Sequence, residues 1–82
     1  MLERRTSSRV GRSNTIQDDD FIVVRSQGMQ FHVWQMVEGR RRHIEGPFAQ
    51  DAAMLRARKL ATIARSRAFI ELGPGLVQLL QS

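Results

Sequence analysis

Two short apolar segments in the first half of the chain predict β-strands. Phe21 to Arg25 is rich in β-branched residues and is followed by a Ser-Gln-Gly segment typical of a turn. Phe31 to Val37 combines aromatic and β-branched residues. After a tight turn at Glu38-Gly39, residues 40–44 are expected to return as a third strand, until Gly46-Pro47 stops the pairing. The pattern predicts a three-stranded antiparallel meander.

After Phe48 the apolar period changes from that of a strand to that of a helix. Small and apolar residues recur at spacings of three and four, and the intervening residues favour helix. The recurring positions are Ala53, Ala57, Leu60, Ala61 and Ala64. This spacing predicts one long helix over residues 49–67 whose alanines approach the sheet closely. The expected fold class is α+β, with the meander packed against the helix in a domain spanning residues 21–67.

Residues 68–82 contain one charged residue and several large apolar side chains around a Gly-Pro-Gly break. The first part is expected to be a short strand or a helix end, and Leu76 to Leu80 to form one or two helical turns. Because the segment is too apolar for a free tail, we expect it to pack on the sheet or on a second subunit.

Residues 1–20 predict a flexible basic arm that ends in an acidic run. Four arginines lie among Ser, Thr, Gly and Asn, with little apolar surface to offset the entropy of ordering. Asp18, Asp19 and Asp20 make the arm neutral overall. Adjacent carboxylates do not have the spacing of a calcium loop, so a solvated charge run is the favoured interpretation.

The length of 82 residues predicts a single domain that is too small for a large enzyme cleft. The absence of cysteine excludes disulfides and thiolate chemistry and favours a reducing, cytoplasmic location. The N-terminal residues lack the apolar stretch of a secretory signal. The longest apolar run is Phe21 to Val24, whereas a membrane span needs about 20 residues.

The formal net charge is +5, and twelve of the thirteen cationic residues are arginine. Assigning the aspartates to the arm places the excess on the predicted helix and on the Arg40–Arg42 turn. Such a surface can neutralise phosphates, although a solvated face is an equally weighted alternative. The candidate nucleic-acid-binding residues are Arg25, Arg40, Arg41, Arg42, Arg58, Lys59 and Arg65.

Both faces of the second predicted strand are partly apolar. Trp34 and Met36 share one face with His32, and the residues between them share the other. The helix covers one face, so something else is expected to cover its opposite. Base stacking on Trp34 is one option. The favoured option is the C-terminal segment, including Phe69 and Leu72, from the same chain or from a partner, and it predicts a homodimer.

The order of three strands, a Gly-Pro-Phe junction and an alanine-spaced helix resembles two known groups. One is a family of small uncharacterised bacterial β-β-α proteins. The other is the plant ethylene-response (Apetala-type) DNA-binding domain, which is related in fold to the arm-binding domains of phage integrases. The matching residues are Val23-Val24, Gly28, Phe31, Val33, Gly46-Pro47-Phe48, Ala53 and Ala57. The second resemblance implies DNA contacts from Arg25, Trp34, Arg40 and Arg42, but the first strand lacks that group's arginines.

The expected function is that of a small, basic, weakly sequence-specific nucleic-acid-binding protein with an accessory or regulatory role in a bacterium, phage or mobile element. The alternative is a protein-interaction or inhibitor module that uses the apolar sheet face and the C-terminal segment. Catalysis is not expected, because the two histidines, His32 and His43, have no Ser, Cys or acid in a catalytic arrangement. They could face each other across strands, yet no convincing third ligand completes a metal site. No cofactor is expected.

Overall fold

One helix covers one face of a five-stranded mixed sheet in the computed structural model, which describes residues 15–81. The α+β class predicted from the sequence is therefore confirmed, with two strands more than the expected meander. The elements in chain order are β1 (Phe21–Arg25), β2 (Phe31–Val37), β3 (Arg40–Phe48), α1 (Gln50–Ala64), β4 (Ala68–Gly73) and β5 (Leu76–Gln81).

The strands lie in the order β3-β2-β1-β4-β5. All neighbouring pairs are antiparallel except β1 and β4, which are parallel. The helix carries the chain from the β3 edge back across the sheet, so that β4 starts beside the beginning of β1, with Phe21 opposite Ala68. The strand β4 thus occupies the free side of β1, and β3 and β5 become the two edges of the sheet.

The core between helix and sheet follows the alternation predicted from the sequence. Phe21, Val23 and Val33 point to the helix and are buried, as is Ile70 of β4. The facing alanines of the helix, Ala53, Ala57 and Ala61, are fully buried. Side chains this small let the helix axis approach the sheet, as expected from their spacing.

The helix is shorter than the predicted range of 49–67. It ends at Ala64 because Arg65 adopts a left-handed conformation with a φ of 56°, and the N–H groups of Arg65 and Ser66 bond back to the last turn. A left-handed residue at this position is the usual way in which a helix stops. Within residues 15–81, this helix is neither long nor apolar enough to span a membrane.

Strand β3 continues to Phe48, past the predicted stop at residues 46–47. Phe31 of β2 lies opposite Phe48 of β3. The register between the two strands shifts twice, on either side of Val33. Because β3 is an edge strand with such irregularities, it can include a proline, which has no N–H to donate. The peptide bond between Gly46 and Pro47 is cis.

The C-terminal segment extends the sheet. Residues expected to form helical turns instead form β5, which pairs with β4 after a turn in which Gly75 has a φ of 71°. The chain break predicted at Gly-Pro-Gly is the turn between β4 and β5. The strand after it was not predicted, because β5 forms only with β4 as its pairing partner. Of the predicted arm, residues 1–14 lie outside the described part of the chain.

Candidate nucleic-acid interface

The sheet face opposite the helix, here called the open face, contains a small apolar cluster of its own. Ile22 on β1 lies between Trp34 on β2 and Phe69 on β4. Ile22 and Phe69 are both 0% exposed although no helix covers them. The guanidinium of Arg67 lies 5.0 Å from the centre of the Phe69 ring, which is cation–π distance. Phe69, predicted as a stacking or interface residue, is therefore a core residue in the structure.

An ion pair joins distant strands across the open face. Arg41 on β3 and Glu71 on β4 both point to this face. Arg41 Nη2 lies 2.8 Å from Glu71 Oε2. In a flat sheet, strands three positions apart are about 14 Å from each other. The ion pair therefore spans the two strands between them, β2 and β1. Arg41, a predicted phosphate ligand, already has a carboxylate partner.

Trp34 lies beside a pair of histidines on the open face. His43 is directly opposite Trp34, and the two rings are in edge contact with centroids 5.1 Å apart. His32 Nδ1 and His43 Nε2 are 2.9 Å apart, so one imidazole donates a hydrogen bond to the other. The two histidines do face each other, but residues 15–81 contain no group of three His, Cys, Asp or Glu that could hold a metal.

Gly46 fixes the position of His32, and its replacement is expected to be costly. An added Cβ would lie 2.5 Å from His32 Nδ1 and 3.0 Å from its Cα, and Gly46 has a φ of 139°. We expect Gly46→Ala to lower the free energy of unfolding by about 2 to 4 kcal/mol, measured by urea denaturation. The matched control is Gly28→Ala, where the φ is also positive but the added Cβ meets nothing within 4 Å. Equal losses in both variants would rule out the contact with His32 as the cause.

Four of the predicted cations lie toward one end of the molecule, and we call them the cationic end. Arg40 and Arg42 on β3 are opposite Val37 and Gln35, which places them on the helix side of the sheet. The helix runs antiparallel to β3, so its last turns approach the same end. Arg56 pairs with Glu45 of β3, and Lys59 continues that flank of the helix one turn later. The members are Arg40, Arg42, Lys59 and Arg65.

The remaining predicted residues do not join the cationic end. Arg25 lies at the opposite end of the sheet, where its Nε donates to the Gly28 carbonyl. Arg58 lies on the other flank of the helix, and Met36 follows Trp34 along the open face. Leu72 is 56% exposed near the β4–β5 turn. The seven cations therefore form several separate surfaces.

Two of the three aspartates, Asp18 and Asp20, accept hydrogen bonds within the fold, whereas the sequence predicts a solvated run. Asp20 is 4% exposed, and its carboxylate accepts hydrogen bonds from the backbone N–H groups of Gln17 and Arg67 and from the Arg67 side chain. Asp18 accepts from the N–H of Gly39 in the β2–β3 turn. One feature of the sequence could have indicated this. The aspartates come immediately before a buried strand, and Asp side chains in turns commonly accept hydrogen bonds from backbone N–H groups.

This placement changes where the net charge lies. Because Asp18–Asp20 belong to the folded unit, residues 1–14 carry +3 and residues 15–82 carry +2 of the total of +5. Counting the aspartates with the arm, as the sequence alone suggests, predicts a neutral arm and places the whole excess on the domain. Within residues 15–81, no carboxylate lies at ion-pair distance from the members of the cationic end, whereas Arg41, Arg56 and Arg67 each have one.

A cleft of about 610 Å³ lies at the end of the sheet remote from the cationic end. The residues that line it include Phe31, Ile70 and Leu72, together with Arg25 and Gln50. Ser26 also lines the cleft, and its hydroxyl donates a hydrogen bond to the Gln30 carbonyl.

Comparison with known proteins gives no relative from which a function could be transferred. No protein-family model, no curated protein and no solved structure matches the chain. The proposals below therefore rest on the residues of this chain alone.

Proposed function

We propose that the protein binds nucleic acid through the phosphate backbone, with weak sequence preference, and that the cationic end is the contact surface. The supporting observation is that the guanidinium and ammonium groups of the cationic end have no carboxylate partner within residues 15–81. Arginine binds phosphate with a planar pair of N–H donors, which favours it over lysine at such a surface. Two of the four members are adjacent side chains on one face of β3.

The position of the acidic residues defines which part of this end faces the polyanion. Glu38 lies in the β2–β3 turn, and Asp18 bonds to that turn. The tip of the hairpin is thus partly neutralised. The positive surface lies instead along the helix side of β3, where Arg40, Arg42 and Lys59 lie on the same flank of the molecule. Backbone contacts without base readout give affinity that depends little on sequence.

Fluorescence anisotropy with two labelled duplexes of unrelated sequence tests this proposal. We expect binding at about 50 mM salt that falls steeply by about 200 mM for both duplexes. The double variant R40A/R42A loses two phosphate contacts, so the slope of log K against log salt should fall by about 1.8. Affinity should decrease alike for both sequences.

The matched control has the same net charge as R40A/R42A, but its substitutions lie at the opposite end of the molecule. Gln27 and Gln50 are exposed, in the β1–β2 turn and at the start of the helix. The double variant Q27E/Q50E lowers the net charge by two, as R40A/R42A does, and should retain the wild-type salt slope. Absence of binding by the wild type at low salt, or equal weakening by both double variants, would overturn the proposal.

The alternative of a protein-interaction module is favoured by one specific observation. Three of the six large apolar residues that are strongly exposed among residues 15–81 lie on the β4–β5 hairpin: Leu72, Leu76 and Leu79. This hairpin lies at the opposite edge of the sheet from Arg40 and Arg42. Protein contact and nucleic-acid contact can therefore occupy different surfaces of the same molecule.

A further inference from the structure

The two edges of the sheet differ in how they are protected from pairing with another strand. The β3 edge carries Arg40, Arg41 and Arg42, two register shifts and Pro47, which are all features that discourage edge-to-edge association. The β5 edge, Leu76–Gln81, has the sequence Leu-Val-Gln-Leu-Leu-Gln, with neither a charge nor a proline. One edge is blocked, whereas no strand of residues 15–81 pairs with the outward backbone N–H and C=O groups of the other.

Exposed apolar side chains accompany the unprotected edge. Leu72 and Leu76 are 56% and 58% exposed beside the β4–β5 turn, and Leu79 is 37% exposed within β5. No charged residue follows Glu71 in the sequence. A strand that is apolar, uncharged and unpaired along one side is the feature that natural sheets avoid unless another strand covers it.

We propose that a second copy of this chain pairs with β5, antiparallel about a twofold axis, to form a continuous ten-stranded sheet. In a symmetric pair, each β5 lies beside an identical β5. Like charges would then repel each other across the pair, but β5 contains no charged residue. The arginines on β3 lie at the far edge of each copy, away from the twofold axis. Electrostatic repulsion between two cationic chains is therefore smallest for this pairing.

The same asymmetry explains why the association closes at two subunits. A sheet with two open edges would add copies without limit, whereas a sheet with one open edge and one blocked edge is complete after one pairing. The pairing of β5 with β4 is regular at Val77, Gln78 and Leu79, so the edge is least distorted at the centre of the strand. Val77 and Leu79 point to the open face, and in the dimer their side chains would meet those of the second copy.

Sedimentation of the full chain without nucleic acid tests the pairing. We expect the wild type to have twice the chain mass of 9.4 kDa at micromolar concentration. Gln78→Lys and Leu79→Lys each place like charges near the twofold axis, and each should raise the dimer dissociation constant by at least about 30-fold. Far-UV circular dichroism and thermal melting of the monomers show whether the variants remain folded.

The control Ile63→Lys introduces the same charge and removes an equally apolar side chain that is 78% exposed on the helix, so this variant should remain a dimer. A mixture of the L79K and L79D variants provides the second arm. Each alone should be monomeric, and the mixture should recover a species of dimer mass because opposite charges then face each other. A monomeric wild type, a dimer unaffected by either edge lysine, or a mixture that stays monomeric would each overturn the proposal.

Discussion

Replacing Phe69 by alanine is expected to lower the free energy of unfolding by about 3 to 5 kcal/mol, which is a large part of the stability of a domain of this size. Phe69 is 0% exposed and lies beside Ile22, which is equally buried, while the Arg67 guanidinium covers its ring. Truncation would leave a cavity on the open face and remove the cation–π contact. Urea denaturation followed by circular dichroism measures the loss.

Leu72→Ala is the matched comparison, because Leu72 lies on the same strand and is 56% exposed. Its truncation should cost less than about 1 kcal/mol, since little apolar area is removed from the interior. Both residues are candidates for an interface when only the sequence is considered. A Phe69→Ala variant as stable as Leu72→Ala would show that the open face does not contain a core of its own.

Local periodicity was sufficient to predict the first half of the fold. β1 and β2 occupy the predicted residues, and the alanine spacing identified both the helix and the face that it buries. Each of these elements has a hydrophobic pattern that is decided within about ten residues, without information about its neighbours. Strand pairing places Arg41 on the opposite face of the sheet from Arg40 and Arg42, whereas the sequence predicts all three as phosphate ligands of one cluster.

The second half depended on pairing between residues far apart in sequence. Leu76 to Leu80 is compatible with a helical turn or a strand, and only the presence of β4 beside β1 decides for the strand. The same reason explains why the partners of the cations were missed. Glu71 and Arg41 are 30 residues apart in the sequence, so no local pattern reports their contact.

The charged residues show how such long-range contacts alter a functional argument. Three arginines that contribute to the net charge are neutralised by Glu71, Glu45 and Asp20. Of the seven candidate residues, Arg41 is paired, and Arg25 and Arg58 lie away from the cationic end. The candidate contact surface is thereby reduced to the four members of the cationic end. The arginines of residues 1–14 become further candidates for phosphate contact, because the aspartates that follow belong to the folded unit and no longer cancel their charge. A salt slope measured with and without residues 1–14 would separate the two contributions.

The ion pair of Asp20 and Arg67 joins the residue before β1 to the segment between α1 and β4. Its Nη2 to Oδ2 distance is 2.8 Å, and the side chains are 5% and 22% exposed. Both carboxylate oxygens accept: Oδ1 from the Arg67 backbone, and Oδ2 from Gln17 and the Arg67 side chain. An asparagine has one acceptor oxygen, so in either orientation its amide N–H₂ would face a donor.

We therefore expect Asp20→Asn to lower the free energy of unfolding by about 3 kcal/mol, because the guanidinium of Arg67 loses its counter-charge in a largely buried place. The matched control is Asp19→Asn, which removes the same charge from an exposed side chain and keeps a residue type that tolerates the φ of 77° at this position. That variant should change the stability by less than about 0.5 kcal/mol. Thermal and urea denaturation of both proteins at neutral pH measure the difference. If both substitutions cost the same, the aspartates act only through their net charge, and the buried pair does not hold the N-terminal end of β1 against Arg67.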